Sequence, residues 1–286
     1  MDLDLDMSRG FLTMAQNSVT GDYVACAEAL ALSLRWTQLG PHKLSILVPQ
    51  GQVIPGAHPF DQIIEFDPYG TDPGKWNAHT KVLALQHTPY DETILLDADM
   101  IFPSDISWWW DILGQWEALF CTQVKTYRGD PVDEENNPYR EEFRKNNLPN
   151  IYTALMYFRN TAATSLLFTQ ANIITEGWEW YSKHRLPERV TRDATDDMSF
   201  ACALMERNLE HEMTSKVDFG FSFTHMKTGI QGFKDGKMMR EDWTRLLNSY
   251  IRNDAALTVG NYRQFLPFHY HDRSFLTNDM LTVLRS

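Results

Sequence analysis

The sequence has no run approaching the ~18 to 20 consecutive apolar residues of a membrane span, so no span is expected. It has only three cysteines, Cys26, Cys121 and Cys202, without metal-type spacing, a usage that suits a reducing, cytoplasmic compartment. Positive charge is scarce. Lysine and arginine number 26 against 38 acids, a formal net charge of −12, which argues mildly against a generic nucleic-acid binder. The start, "MDLDLDMSRG", lacks the basic and apolar stretches of a signal peptide, and 1–9 is expected to be a flexible tail. Neither an internal repeat nor a convincing linker is present, so one domain over 1–286 is expected.

What the chain does have is core-forming material. Hydrophobic residues make up 43% of its 286 positions, enough for one large α/β domain. "GFLTMAQN" (10–17) reads as a buried strand running into a polar loop. A helix follows, with Asp22 as its cap, Ala27, Leu30, Ala31 and Leu34 at helical spacing, and Gly40-Pro41 as its stop. "KLSILVP" (43–49) and "QIIEF" (62–66) are further strands, and "NAHTKVLALQHT" is a helix leading into the strand "ETILLD". Such alternation predicts a mostly parallel sheet wrapped by helices, with ligands beyond the carboxyl ends of the strands, where Asn17 and Asp97 fall.

The second half is less regular. "EALFCTQVKTY" (117–127) and "IYTALMYF" (151–158) read as strands, and 130–147 as a polar loop. "TAATSLLFTQANIITEGWEWY" reads as one helix, and "DATDDMSFACALMERN" starts another with Thr195 or Asp196 as cap. "KVDFGFSF" and "RQFLPFHYH" are late strands. The locally basic "YSKHRLPERVTRD" (181–193) is either a solvated loop or a groove for an anionic acceptor. Of the consecutive Trp108, Trp109 and Trp110, two are expected in the core and one at a rim, because neighbours in sequence cannot share one face.

The chemistry gathers at "LLDADMIF". Asp97 and Asp99 end the most hydrophobic strand, separated by one small residue. Two half-buried carboxylates repel each other and lose hydration, and a divalent cation relieves both costs. Mg²⁺ and Mn²⁺ take hard oxygen ligands and share their shell with substrate phosphates. The plainer alternative is a pair of surface acids at a turn.

This stretch resembles the D-x-D motif of GT-A glycosyltransferases, and "HTKVLALQHTPYDETILLDADMIF" is similar to glycosyltransferase family 8, the retaining glycogenin-like enzymes. "FLTMAQNSVTGDYVACAEALALSLRWT" adds to the resemblance, which covers roughly 10–110 well and the remainder patchily. It implies a GT-A (Rossmann-like) α/β fold with C-terminal additions, a nucleotide-binding half over 10–126 and an acceptor half over 127–286. Asp97 and Asp99 would hold Mn²⁺ or Mg²⁺ on a nucleotide-sugar, and Lys81 would face the donor phosphate or sugar. Ala15, Gln16, Asn17 and Tyr23 would line the base and ribose pocket; an ordinary helix lysine and helix-start packing are the plain alternatives for Lys81 and Tyr23. Tyr152-Thr153-Ala154 departs from the family's Asn-Ser-Gly, which leaves the donor sugar open. Asp196 or Asp197 would work on the donor sugar or acceptor hydroxyl, with helix capping as the alternative. His269 would complete the metal shell, with His271 and His225 as competitors, and Arg273 or Lys227 would steady the leaving diphosphate.

The resemblance therefore implies a metal-dependent transfer, from a UDP-sugar or similar donor, to a glycan, protein, small molecule or hydroxylated base in DNA. Two rivals remain at this point. A haloacid-dehalogenase-like phosphatase also places a D-x-D after an apolar strand, and a GT-A-like binding protein would hold nucleotide without turnover.

Overall fold

A computed structural model describes residues 8–18, 21–40, 42–67, 80–132, 134–135, 137–214, 220–226, 233–234, 237–238, 247–252, 256–270 and 275–286. Its first half alternates strand and helix: β1 (Arg9–Met14), α1 (Tyr23–Thr37), β2 (Leu44–Pro49), β3 (Gln62–Phe66), α2 (Ala84–His87) and β4 (Glu92–Asp97). Then come β5 (Met100–Ile101), α3 (Trp109–Leu113), β6 (Ala118–Cys121), β7 (Val124–Lys125), α4 (Pro138–Lys145) and β8 (Tyr152–Arg159). The remainder holds α5 (Ala162–Glu176), α6 (Trp178–His184), α7 (Asp196–Glu206), β9 (Phe223–Met226), β10 (Phe233–Lys234), β11 (Lys237–Met238), β12 (Ser249–Ile251), β13 (Leu257–Val259), β14 (Tyr262–Arg263), β15 (Phe268–Tyr270) and α8 (Asn278–Arg285).

Six strands form the main sheet in the order β3-β2-β1-β4-β8-β6. The pairs β3–β2, β2–β1 and β1–β4 are parallel, whereas β8 runs antiparallel to both β4 and β6. This is the expected α/β architecture, a mainly parallel sheet flanked by helices. Both faces of such a sheet are covered, so its central strands are largely apolar. Phe11, Ile46, Val48, Ile94 and Leu96 pack on one face, and Leu12, Leu47, Leu95, Met156 and Phe158 on the other. A second sheet, β5-β15-β9-β7, carries the second half of the chain back to the end of β4.

Several expected elements are divided or displaced. The stretch 117–127 is two strands, β6 in the main sheet and β7 in the small one. The long helix from 161 breaks at Gly177, which ends α5 and caps α6. The strand expected over 263–271 splits into β14 and β15, with Pro267 between them; proline lacks the N–H that a central strand needs. The loop expected over 130–147 contains α4. Its start carries a capping signal: the Asn137 side chain accepts from the Tyr139 N–H, and Pro138 occupies the first turn. Of the helix expected before β4, the described part is a 3₁₀ turn, Lys81–Leu83, continuing into the single turn of α2. Order also reaches into the expected tail, since Ser8 donates its N–H and hydroxyl to Asp91 and β1 begins at Arg9. Asp22 caps α1 as expected, accepting from the Ala25 N–H at 3.0 Å. Trp109 and Trp110 are buried while Trp108 is 42% exposed, the division expected of three consecutive tryptophans.

One polar tie joins α4, β8 and α7. Asp197 Oδ1 accepts from the Thr153 N–H at 2.8 Å and hydroxyl at 2.7 Å, and Oδ2 accepts from Arg140 Nη2 at 2.9 Å. The Arg140 guanidinium lies over the Tyr152 ring, 3.7 Å from its centre, and donates to the Ile151 carbonyl. Burial alone would raise the Asp197 carboxyl, but Arg140, Thr153 and Lys81 together hold it below the usual carboxylate range.

Two stability outcomes are expected. At Gly10 a Cβ would lie 2.3 Å from the Tyr90 ring, so Gly10→Ala overpacks β1 and costs about 1–3 kcal/mol, read by urea unfolding. Asp197→Asn leaves Arg140 buried without its counter-charge and costs about 3–5 kcal/mol at pH 7. Because the folded carboxyl titrates below the unfolded one, the wild-type advantage is complete above about pH 4. It vanishes as pH falls through the folded value, so urea midpoints of the two proteins should converge as the solution is acidified below about pH 4.

Candidate metal centre

The chemistry of the site begins where β4 ends. Glu92 to Leu96 are buried and Asp97 is the first partly exposed residue. The backbone turns over Ala98 and Asp99 into β5, which pairs antiparallel with β15, setting His269 opposite Met100. The Tyr270 N–H donates to the Asp99 carbonyl at 3.1 Å, locking that turn to the small sheet. The result is that Asp97, Asp99 and His269 each offer one ligand atom, all within 4.8 Å of one another. His269 Nε2 lies 3.1 Å from Asp99 Oδ1 and 3.6 Å from Asp97 Oδ2. Among the described residues this is the group of His, Cys, Asp and Glu side chains arranged to hold a metal ion. Two carboxylates and one imidazole form a hard set with one borderline member, which suits a divalent metal ion.

Lys81 faces Asp97, one of these carboxylates. Its Nζ is 2.5 Å from Asp97 Oδ1, and it also donates to the Thr153 carbonyl at 3.1 Å. Its backbone N–H donates to Asp196 Oδ1 at 3.2 Å. Burial opposes the lysine's charge, but Asp97 and Asp196 outweigh it and hold its pKa above the ordinary value. Asp196 has the reverse fate. Burial pushes its carboxyl well above the usual range, with Asp197 and Asp97 pushing the same way against the pull of Lys81.

Asp196 and Asp197 are consecutive in the first turn of α7, about 100° apart around the helix, and so serve different neighbours. Asp196 turns to Lys81, while Asp197 is saturated by Arg140 and Thr153. The cap itself is Thr195, whose hydroxyl accepts from the Met198 N–H.

The residues expected to line a nucleotide pocket leave the sheet beside this group. β1 pairs with β4 in the register Met14 to Asp97, so Ala15, Gln16 and Asn17 emerge next to the paired aspartates. Ala15 and Gln16 are buried, and Asn17 Oδ1 accepts from the Val24 N–H at 3.0 Å, tying this exit to the start of α1. Tyr23 opens α1 and packs partly against the core. Lys227, His271 and Arg273 lie outside the described residues. The competitor His225 is in place but one step back, with its Nδ1 3.0 Å from His269 Nδ1.

Thr153 and Arg140 were not expected at the site. Thr153 stands in the stretch read as a departure from the family pattern, and Arg140 in the stretch read as a loop. The capping pair Asn137-Pro138 was the signal that an ordered helix starts there. In the basic stretch, Arg185 pairs with Glu206 at 3.0 Å and Arg192 with Glu142 at 2.8 Å.

No protein-family model matches this chain, and no curated protein sequence matches it. Solved structures with a similar course of the chain are glycosyltransferases. Mouse xyloside xylosyltransferase 1, in its apo form, is 14% identical, with 73% of this chain and 85% of that one covered and a TM-score of 0.45. The galactosyltransferase LgtC, in complex with donor and acceptor sugar analogues, is 10% identical, with 68% and 70% covered and a TM-score of 0.45. The glycosyltransferase GlyE of Streptococcus pneumoniae is 12% identical, with 73% and 45% covered and a TM-score of 0.40. Likenesses this distant do not by themselves assign an activity.

Proposed function

We propose that the chain is a metal-dependent glycosyltransferase of the GT-A kind, a single domain that moves a sugar from a nucleotide-sugar, first of all a UDP-sugar, to a hydroxyl acceptor. The observation that carries this reading is the convergence of Asp97, Asp99 and His269 at the carboxyl end of β4, beside the exit of β1. A diphosphate-bearing donor is the ligand class that such a corner suits, since ligands of open α/β sheets bind beyond the strand ends.

Asp97, Asp99 and His269 would hold Mn²⁺ or Mg²⁺. When bound, the metal supplies Lewis-acid stabilisation of the negative charge that develops on the departing diphosphate. Ala15, Gln16, Asn17 and Tyr23 are assigned to the base and ribose. Lys81 brings a fixed positive charge to the same corner and holds Asp97 in place. Asp196, which faces that lysine, is assigned to the donor sugar or the acceptor hydroxyl. Asp197 holds the start of α7 so that Asp196 keeps its aim. Lys227 and Arg273 are assigned to the diphosphate, where preorganised charge lowers the barrier to departure. Retention of anomeric configuration is what the family resemblance implies. The acceptor is a glycan, protein, small molecule or modified DNA. For the last of these, the pairing of Arg185 and Arg192 with carboxylates leaves fewer uncommitted cations in the basic stretch.

Thermal unfolding with Mn²⁺ and a panel of UDP- and GDP-sugars tests the proposal. A donor at 100 times its dissociation constant should stabilise the fold by about 2.7 kcal/mol. Asp99→Asn should abolish that shift and all sugar transfer while leaving the ligand-free unfolding midpoint close to wild type. Metal-dependent nucleotide binding that survives Asp99→Asn unchanged would overturn the assignment.

A further inference from the structure

We propose that His225 is a positioning residue of the metal centre: its Nδ1 accepts the Nδ1–H of His269 and so keeps the His269 Nε2 lone pair aimed at the cation. This rests on the reading of Asp97, Asp99 and His269 as metal ligands. The two histidines are brought side by side by backbone pairing, because β15 runs parallel to β9 in the register His269 to His225. Both are buried, at 3% and 2% exposure. Their ring centres are 4.9 Å apart and their Nδ1 atoms 3.0 Å apart.

A separation of 3.0 Å between two ring nitrogens accommodates one hydrogen. Two N–H groups would collide there, and two lone pairs would repel. A neutral imidazole carries a single N–H, so the choice of which ring donates fixes the tautomers of both. If His225 donated, His269 would carry its own proton on Nε2 and donate it to Asp99 Oδ1 at 3.1 Å, an arrangement open only while no metal is bound, because that nitrogen could not then bind a metal. If His269 donates from Nδ1, its Nε2 lone pair is free at the point where the carboxylates converge, and His225 carries its proton on Nε2. A metal-bound histidine commonly fixes its second nitrogen in this way against a neighbouring acceptor.

The acceptor is itself held firmly. Phe223, two residues earlier on the same strand face, packs edge-on against His225 with ring centres 5.5 Å apart. Tyr152 from β8 packs against it at 5.8 Å. Phe223 also lies 5.8 Å from the His269 ring, so one aromatic side chain braces both imidazoles.

Long-range proton–nitrogen correlation spectra of the full chain with Mg²⁺ test this directly. The expected result is a protonated Nδ1 and a bare Nε2 on His269, with a bare Nδ1 on His225; a proton on His269 Nε2 in the Mg²⁺-bound protein would overturn it. Mn²⁺ titration followed by electron paramagnetic resonance is the second readout. His225→Leu, which has no acceptor, should weaken Mn²⁺ binding about 10- to 100-fold, whereas His225→Asn, whose Oδ1 can accept in place of Nδ1, should stay within about threefold of wild type. Equal behaviour of the two variants would sink the proposal, since a packing role does not distinguish them. Asp99→Asn in the same titration separates the two levels of the argument. Unchanged Mn²⁺ binding in that variant removes the metal reading and the role of His225 together. Loss of binding in Asp99→Asn with wild-type binding in His225→Leu removes the role of His225 alone.

Discussion

Mutual repulsion among carboxylates is the constraint that organises this molecule. Asp97 stands between two acidic neighbourhoods: Asp99 shares its end of β4, and at the start of α7 Asp196 acts on it while Asp196 and Asp197 both act on Lys81. Lys81 answers Asp97, and Arg140 answers Asp197. Burial drives Asp196 toward its neutral form against the pull of Lys81, and His269 lies against Asp99. A divalent cation is the remedy that suits such a site. The chain thus holds in its folded state an electrostatic cost that a ligand can relieve, a common arrangement where binding is the purpose of the site.

The fold exists to make that convergence rigid. A strand end placed by five buried residues has little freedom, so Asp97 starts from a fixed point. Asp99 is secured by the Tyr270 N–H on its carbonyl, and His269 by pairing with both β5 and β9. Rigid elements on every side hold side chains more closely than a loop could. The same logic explains why Asp197 is engaged by four donors, from Thr153, Arg140 and Tyr139: they fix the turn that carries Asp196.

The sequence was most legible where the physics is local. β1, α1, β2, β3 and β4 follow from apolar runs and one capping aspartate, and all lie within a residue or two of their expected bounds. The D-x-D pair stood out in the sequence because charge at the end of an apolar strand demands an explanation, and the structure sets both aspartates beside His269. The second half was less legible because its strands are only two to four residues long after β8, too short to show a period. The pairing of β15 reaches across 44 residues to β9 and across more than a hundred to β5, which no window of sequence displays. The likeness of "PFHYH" to a known pattern pointed to His269, but its relation to His225 could emerge only from the strand register. Arg140 was hidden for another reason: a polar stretch with a good cap was read by its polarity and not by its cap.

The small sheet has a bearing on how the protein is made. All six strands of the main sheet are complete by Arg159, yet the imidazole that closes the metal group arrives only at position 269, on the last strand. A nascent chain can therefore bury most of its apolar sheet well before it possesses a finished centre. Any cation held by this group would therefore be taken up only after the strands of the main sheet have been made, since the ligand set is incomplete before residue 269.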